Sequence, residues 1–233
     1  MKKIALLLLT FCVLAVSSGY AQKGASGMVI KFKTTLLGTD DPNILSQMPE
    51  GSTTYMLGNY TKSTQEGPGY AVSTIMDANK KVQSIVYDLT GMGKYILQVT
   101  EADVTEAEKK IQREYTYLDE RKNIAGYDCQ KVIVKLTNLE DDSEEEIVLY
   151  ISKDLNSNPD INFGSFTGLV GYPLRTEMKR DLQGTEVTVI SEAAEVTPSK
   201  KIKAVDFMLP SDGKVLTMDE FRELFGGGGE DDE

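Results

Sequence analysis

The stretch Met28–Leu37 (MVIKFKTTLL) sets Met28, Ile30, Phe32 and Leu36 on one side of an extended chain and Lys31, Lys33 and Thr35 on the other. Side chains of a strand alternate between faces, so this is a strand with one buried side. Moving outward, the signature recurs between short turns. Asp41-Pro42 predicts an N-cap with Pro at the first position of a short helical turn. Ser52–Tyr60 is strand-like, Gly67-Pro68-Gly69 is a turn, and Tyr70–Met76 with Val82–Tyr87 reads as a hairpin. Tyr95–Val99 is a further strand. Glu101–Glu114 is rich in helix formers, with Thr105 and Glu108 spaced as a capping box, and is read as a helix.

The β pattern resumes beyond it. Tyr115–Leu118 leads to a turn at Asp119–Asn123, and Gln130–Leu136 alternates Val132, Val134 and Leu136 against Lys131 and Lys135. Asn138–Glu146 (NLEDDSEEE) is an acidic tip. Ile147–Ile151 is apolar on both faces, as in a strand covered on both sides. Leu174–Leu182 and Thr185–Ile190 form a hairpin turning at Gln183-Gly184. Ile202–Phe207 is read as the last strand, and Thr217 with Glu220 caps a helix over Met218–Phe225. The expected fold is mainly β: one large curved antiparallel sheet, a half-barrel, with two or three short covering helices. No repeat of solenoid or propeller period and no Gly-rich strand-to-helix turn of a nucleotide fold is present.

The N-terminus reads as an address. Lys2 and Lys3 precede an apolar run from Ile4 to Val16, and Gly19 and Ala21 place small residues before a cleavage site, so residues 1–21 are expected to be a signal peptide. The domain then spans 22–225, and Gly226–Glu233 (GGGGEDDE) is a flexible acidic tail. Export to the periplasm or the extracellular space follows from this reading. No window of the mature chain approaches the length of a membrane-spanning apolar helix.

Composition removes whole chemistries. Among 233 residues there is no His and no Trp, only two Cys, and Lys+Arg 25 against Asp+Glu 36, a net charge of −11. Histidine-based triads and zinc sites lack their imidazole. Nucleic acid is disfavoured because phosphate contacts need concentrated Lys and Arg. Cleavage would leave Cys129 as the one thiol, expected to be buried and inert on a strand, with no base beside it. Asp154–Pro159 imitates the start of a calcium loop, but Pro159 stands where Gly is required and Ser165 where Glu is required. The acidic tip is expected to be a solvated hairpin end. No catalytic residue, cofactor site or metal site is assigned. A carboxylate pair is the enzymatic chemistry the composition leaves open, and no pair is singled out by spacing.

Ile124–Lys131 (IAGYDCQK), the strand ending Tyr150–Leu155 (YISKDL) and Phe166–Leu174 (FTGLVGYPL) resemble a family of exported bacterial proteins related to the GLPGLI proteins, whose motif aligns near Gly168–Leu174. This chain has Gly-Leu-Val-Gly-Tyr-Pro-Leu there. Val205–Pro210 (VDFMLP) is similar to the final strand of lipoprotein-carrier half-barrels of the LolA, LolB and LppX type. The resemblance spans Met28–Pro210 and implies a curved sheet wrapped around an apolar cavity and closed by short helices. Within that picture Phe163–Leu174 reads equally as a mobile flap over the cavity mouth, hinged at Gly164, Gly168 and Gly171, or as a structural cover. The residues that would touch a ligand are Phe163, Phe166, Leu169, Val170, Tyr172 and Leu174.

The functional expectation is a non-enzymatic exported protein that binds an apolar or amphipathic molecule, a lipid or a lipidated chain. The alternative is a cell-envelope interaction module of the same fold with a filled core. If residues 1–21 are removed on export, N-terminal sequencing of exported material begins at Gln22; an intact Met1 would refute this.

Overall fold

A computed structural model describes residues 27–225 of the chain; the expected signal peptide at 1–21 and the acidic tail at 226–233 lie outside the described residues. The elements are β1 (Gly27–Leu37), α1 (Pro42–Gln47), β2 (Gly51–Leu57), β3 (Tyr60–Gly67), β4 (Tyr70–Asp77), β5 (Val82–Leu89), β6 (Gly93–Val99), α2 (Glu101–Glu108), β7 (Ile111–Ile124), β8 (Tyr127–Asn138), β9 (Glu144–Ser152), β10 (Tyr172–Leu182), β11 (Thr185–Ser199), β12 (Lys214–Leu216) and α3 (Met218–Phe225). Single 3-10 turns lie at Pro159–Asn162 and Ala204–Phe207. All twelve strands belong to one open curved sheet in the order β12-β6-β5-β4-β3-β2-β1-β11-β10-β9-β8-β7. Every pairing is antiparallel except β12 with β6.

The sheet is two meanders, β1–β6 and β7–β11, joined where β1 pairs with β11 from Gly27↔Ser199 to Leu37↔Thr188. Period-two alternation sorts the residues of this seam. Ile30, Phe32, Thr54, Ser191, Thr176 and Leu149 follow one another across the ladder on the face called inner here. Val29, Lys31, Tyr55, Lys62, Ile75 and Val86 lie on the outer face.

Both faces are covered by irregular chain. On the inner side, Phe166 and Leu169 pack on Val132, Val134, Ile147, Leu149 and Ile151. Phe163 packs with Met76 and with Val104 of α2. Ile161 joins the cluster at the seam that includes Ile30, Met56, Leu174 and Ala193. On the outer side, Ile202 and Phe207 pack on Ile75, Val86 and Ile96. Each large side chain so buried contributes about 1.5–3 kcal/mol. Near the end of the chain, Phe221 and Phe225 of α3 stack on Tyr87, and Phe225 also meets Tyr95 edge-on.

Several local expectations are met in detail. Asp41 caps α1, accepting from the Asn43 N–H at 2.8 Å, with Pro42 at the first position. Gln183 and Gly184 take positive φ values of 57° and 81° in the β10–β11 turn. Thr217 and Glu220 cap α3 reciprocally.

Others are corrected. The helix expected over Glu101–Glu114 stops at Glu108, and its capping box is Thr100 with Asp103, not Thr105 with Glu108. From Ile111 the chain is strand, because Ile111–Tyr117 pairs with Val132–Asn138 and that pairing overrides helix propensity. The turn expected at Asp119–Asn123 is a bulge within β7. Leu118, Asp119 and Glu120 oppose the single residue Lys131, and the chain reverses at Ala125-Gly126 instead. Ile202–Phe207 is not a strand: Phe207, at the end of a 3-10 turn, and Ile202, just before it, pack into the outer core, and the last strand is Lys214–Leu216.

The β7 bulge is latched to the strands beside it. Tyr150 donates its hydroxyl to Glu120 at 2.6 Å and Lys131 donates to the other oxygen at 2.8 Å. Lys122 reaches Glu192 of β11 at 2.8 Å, and Arg175 of β10 pairs with the same carboxylate. Burial opposes ionisation of Glu192, but the hydrogen bonds from Lys122 and Arg175 outweigh it and hold the carboxyl below its ordinary 4.5. A carboxyl lowered in the folded state stabilises fully above its unfolded pKa and loses that contribution as pH falls through the folded one. Denaturation of wild type and Glu192→Gln should therefore differ at neutral pH and converge as pH falls below the ordinary carboxylate range and through the lowered folded-state value. A gap that persists in acid would show that this carboxylate is not what titrates.

Candidate functional site: the inner-face plug and its cleft

The residues expected to form a flap are brought together on the inner face, most of them as core. Leu169 and Leu174 have no exposure at all, Phe163 is buried, Phe166 is half-buried, and only Val170, at 37%, faces out. Tyr172 opens β10 and Leu174 lies within it.

Hydrogen bonds pin the segment in place. The buried Asn162 side chain donates to the carbonyls of Leu169, at 2.9 Å, and Gly171, at 2.8 Å, so that one amide closes a loop of nine residues. The Phe166 N–H donates to the Asn162 carbonyl at 2.7 Å, and the Tyr115 hydroxyl donates to Thr167 at 3.0 Å. Gly164, Gly168 and Gly171 all have positive φ, which only glycine adopts without strain. They supply tight reversals that let Phe163, Phe166 and Leu169 point at the sheet. A Cβ at Gly171 would also press on Ile151 at 3.0 Å.

Beside this plug lies a cleft of about 250 Å3, floored by Ser52, Thr54, Ser63, Thr74, Thr176 and Ser191 and bounded by Phe166 and Tyr172. Hydroxyls therefore alternate along its floor, and Phe32, Met76, Ile161 and Phe163 complete the lining with apolar side chains. The floor was legible as STT at Ser52–Thr54 and as TKS at Thr61–Ser63, whose i, i+2 positions are polar on the side that Phe32 buries. Sequence reasoning missed this because it scored strands by their apolar residues. No carboxylate, amine or thiol lines the cleft. Tyr172 is its one titratable group; burial pushes its phenol up to about 12, while a hydrogen bond with Thr54 works in the opposite direction. The cleft can hydrogen-bond a neutral polar molecule, and no proton-transfer couple is built into it.

The remaining candidates resolve as follows. Cys129 is fully buried, and burial raises its thiol to about 11, so the thiolate is suppressed. In the acidic tip Glu140, Glu144 and Glu145 pair with Lys110, Lys135 and Arg180. Residues 154–159 form Asx turns through Asn156 and Asn158. Among the described residues no group of three or more His, Cys, Asp or Glu is placed to hold a metal ion, and no helix is long and apolar enough to cross a membrane.

No family model matches the chain, and no curated protein matches it, so the expected relation to GLPGLI proteins finds no support in these comparisons. Solved structures match by fold. PNGF-II in a P21 crystal form superposes with a TM-score of 0.57 at 15% identity, over 87% of this chain and 34% of that one. A C2 form of PNGF-II gives 0.58 at 14% identity, over 86% and 32%. This chain thus spans about a third of the length of PNGF-II. A domain from Vibrio parahaemolyticus named for outer-membrane lipoprotein sorting aligns over 79% of this chain and 90% of its own, at 9% identity and a TM-score of 0.22. At that score the alignment carries no argument.

If the segment is a fixed plug, Asn162 is among its main supports. Asn162→Ala leaves two carbonyls unpaired and should cost about 1–3 kcal/mol. Asn162→Asp turns a carboxylate toward those same carbonyls and should cost more. Urea unfolding of both variants at wild-type stability would show instead that the segment is free of the sheet.

Proposed function

We propose that the protein is an exported, non-enzymatic binding module of the cell envelope that works through the outside of its sheet. The observation that supports this best is the occupied inner face, where Leu169 and Leu174 are fully buried and Asn162 ties the covering segment to itself. The hydroxyl-lined cleft adds to it, since an acyl chain laid there would strip water from Ser and Thr without replacing their hydrogen bonds. In PNGF-II the same fold accounts for about a third of a longer chain, which suits a domain used as a module.

A second reading, a lipid or lipidated chain held on the inner face, is favoured by the apolar ladder of Val132, Val134, Leu149 and Ile151 beneath Leu169. Magnitudes rank it lower. Lifting Ile161, Phe163, Phe166 and Leu169 off the sheet re-exposes four large side chains at about 1.5–3 kcal/mol each. Burial returns about 0.8 kcal/mol per methylene, so on the order of ten methylenes would be needed to break even before ordering costs.

Hydrogen exchange locates the working surface. With phospholipid or an acylated peptide added, the Phe166 and Leu169 amides, bonded to Asn162 and Phe166, should keep their protection. Loss of that protection together with a bound lipid would place the ligand inside and overturn the proposal.

A further inference from the structure

On the outer face of β1–β3 two clefts share Tyr55 and Lys62. One, of about 860 Å3, runs past Lys31, Lys33, Thr53 and Thr64. The other, of about 540 Å3, has Val29, Tyr55 and Ile202 as its apolar lining and Lys62 and Lys201 as its cations. The cross-strand register Val29↔Tyr55↔Lys62 makes them neighbours on one face, and Ile202 is brought over that face by the covering segment.

The charge around this trough is unusual for the molecule. Acids outnumber bases by 11, and every Arg among the described residues is ion-paired, as are most of the Lys. The Lys without an acidic partner among the described residues are Lys33, Lys62, Lys153, Lys200, Lys201 and Lys203, against paired residues such as Lys31, Lys94 and Lys135. Lys153 lies over the Tyr117 ring. Lys33, Lys62 and Lys201 line the trough, and Lys200 and Lys203 flank Lys201 and Ile202 in the chain. Of the trough's carboxylates, Asp206 accepts from the Lys203 N–H at 2.8 Å, and Glu50 and Glu66 line the larger, polar cleft. Lys62 and Lys201, neither of them ion-paired among the described residues, therefore stand beside an apolar crevice whose lining holds one carboxylate, Asp206.

We infer that this outer trough binds an amphiphile with an acidic head, its apolar body against Val29, Tyr55 and Ile202 and its carboxylate or phosphate between Lys62 and Lys201. The inference rests on the outside-surface reading above and gives that surface a ligand class. Apolar burial supplies affinity, and two lysines freed of internal partners supply selection for the anion over a neutral chain of equal length. The same head chemistry is offered by a free fatty acid and by an acidic phospholipid in a bilayer.

The test uses dodecanoate below its micelle concentration, dodecanol as the neutral chain, and vesicles of phosphatidylcholine with or without phosphatidylglycerol, each titrated against the mature protein. Dodecanoate is expected to bind about tenfold or more tightly than dodecanol, and Lys62→Glu with Lys201→Glu to abolish that preference. Lys153→Glu should leave it intact, and circular dichroism melting checks that each variant is folded. Sedimentation with the phosphatidylglycerol vesicles alone, lost in the same double variant, would support the site with the bilayer as its source. Equal binding of acid and alcohol, an unchanged double variant, or no binding in either arm would overturn it. If binding fails while Phe166 and Leu169 stay protected, only this inference falls; if dodecanoate binds and unprotects them, the outside-surface reading falls as well.

Discussion

The rest of the molecule depends on the ladder between β1 and β11. Without it the chain is two separate meanders. With it, Gly27–Leu37 is flanked on both sides, by β2 and by β11, and Ile30 becomes fully buried. This contact joins residues more than a hundred and fifty positions apart, so its closure entropy has to be met by local hairpins that are already formed. The short turns at Gly58-Asn59, Gly69 and Gln183-Gly184 serve that end by making nearly every other pairing local.

An open sheet of this size has two faces to bury and no closure into a barrel to do it. The chain meets the requirement with its own irregular segments: residues 155–171 inside and 202–209 outside. Each inserts a few large side chains between glycine or 3-10 reversals. The consequence is functional. A sheet whose concavity is filled by its own Phe163, Phe166 and Leu169 has to compete with itself before it can carry anything there, whereas the outer cover leaves a crevice along its border with β1–β3.

Electrostatics divide the surface in the same way. Ion pairs stud the β7–β11 half, where Glu120, Glu192 and the acidic tip consume Lys122, Lys131, Lys135, Arg175 and Arg180. Exposed pairs of this kind add little to stability, but they neutralise the cations that take part. Of the lysines left over, all but Lys153 lie on β1–β3 or at the outer cover, so unpaired cations gather along that partly apolar border.

Much was readable from residue order alone. Period-two alternation in Met28–Leu37 and Gln130–Leu136, the capped turn at Asp41-Pro42, the Gln183-Gly184 hairpin and the burial of Cys129 follow from local stereochemistry and hydrophobicity, which act over a few residues. The expectations that failed concern places where a distant strand decided the outcome. Ile111–Glu114 has the composition of a helix and is strand because β8 lies beside it. Ile202–Phe207 reads as a strand, yet Ile202 and Phe207 serve as an outer plug because they pack on Ile75 and Ile96. Phe163–Leu174 could be read as flap or cover, and only the tertiary structure sets its side chains against the sheet and the Asn162 amide between two carbonyls. Local periodicity is a property of neighbouring residues. Which face is filled, and which lysines are left without a partner, depends on residues brought together from the whole length of the chain.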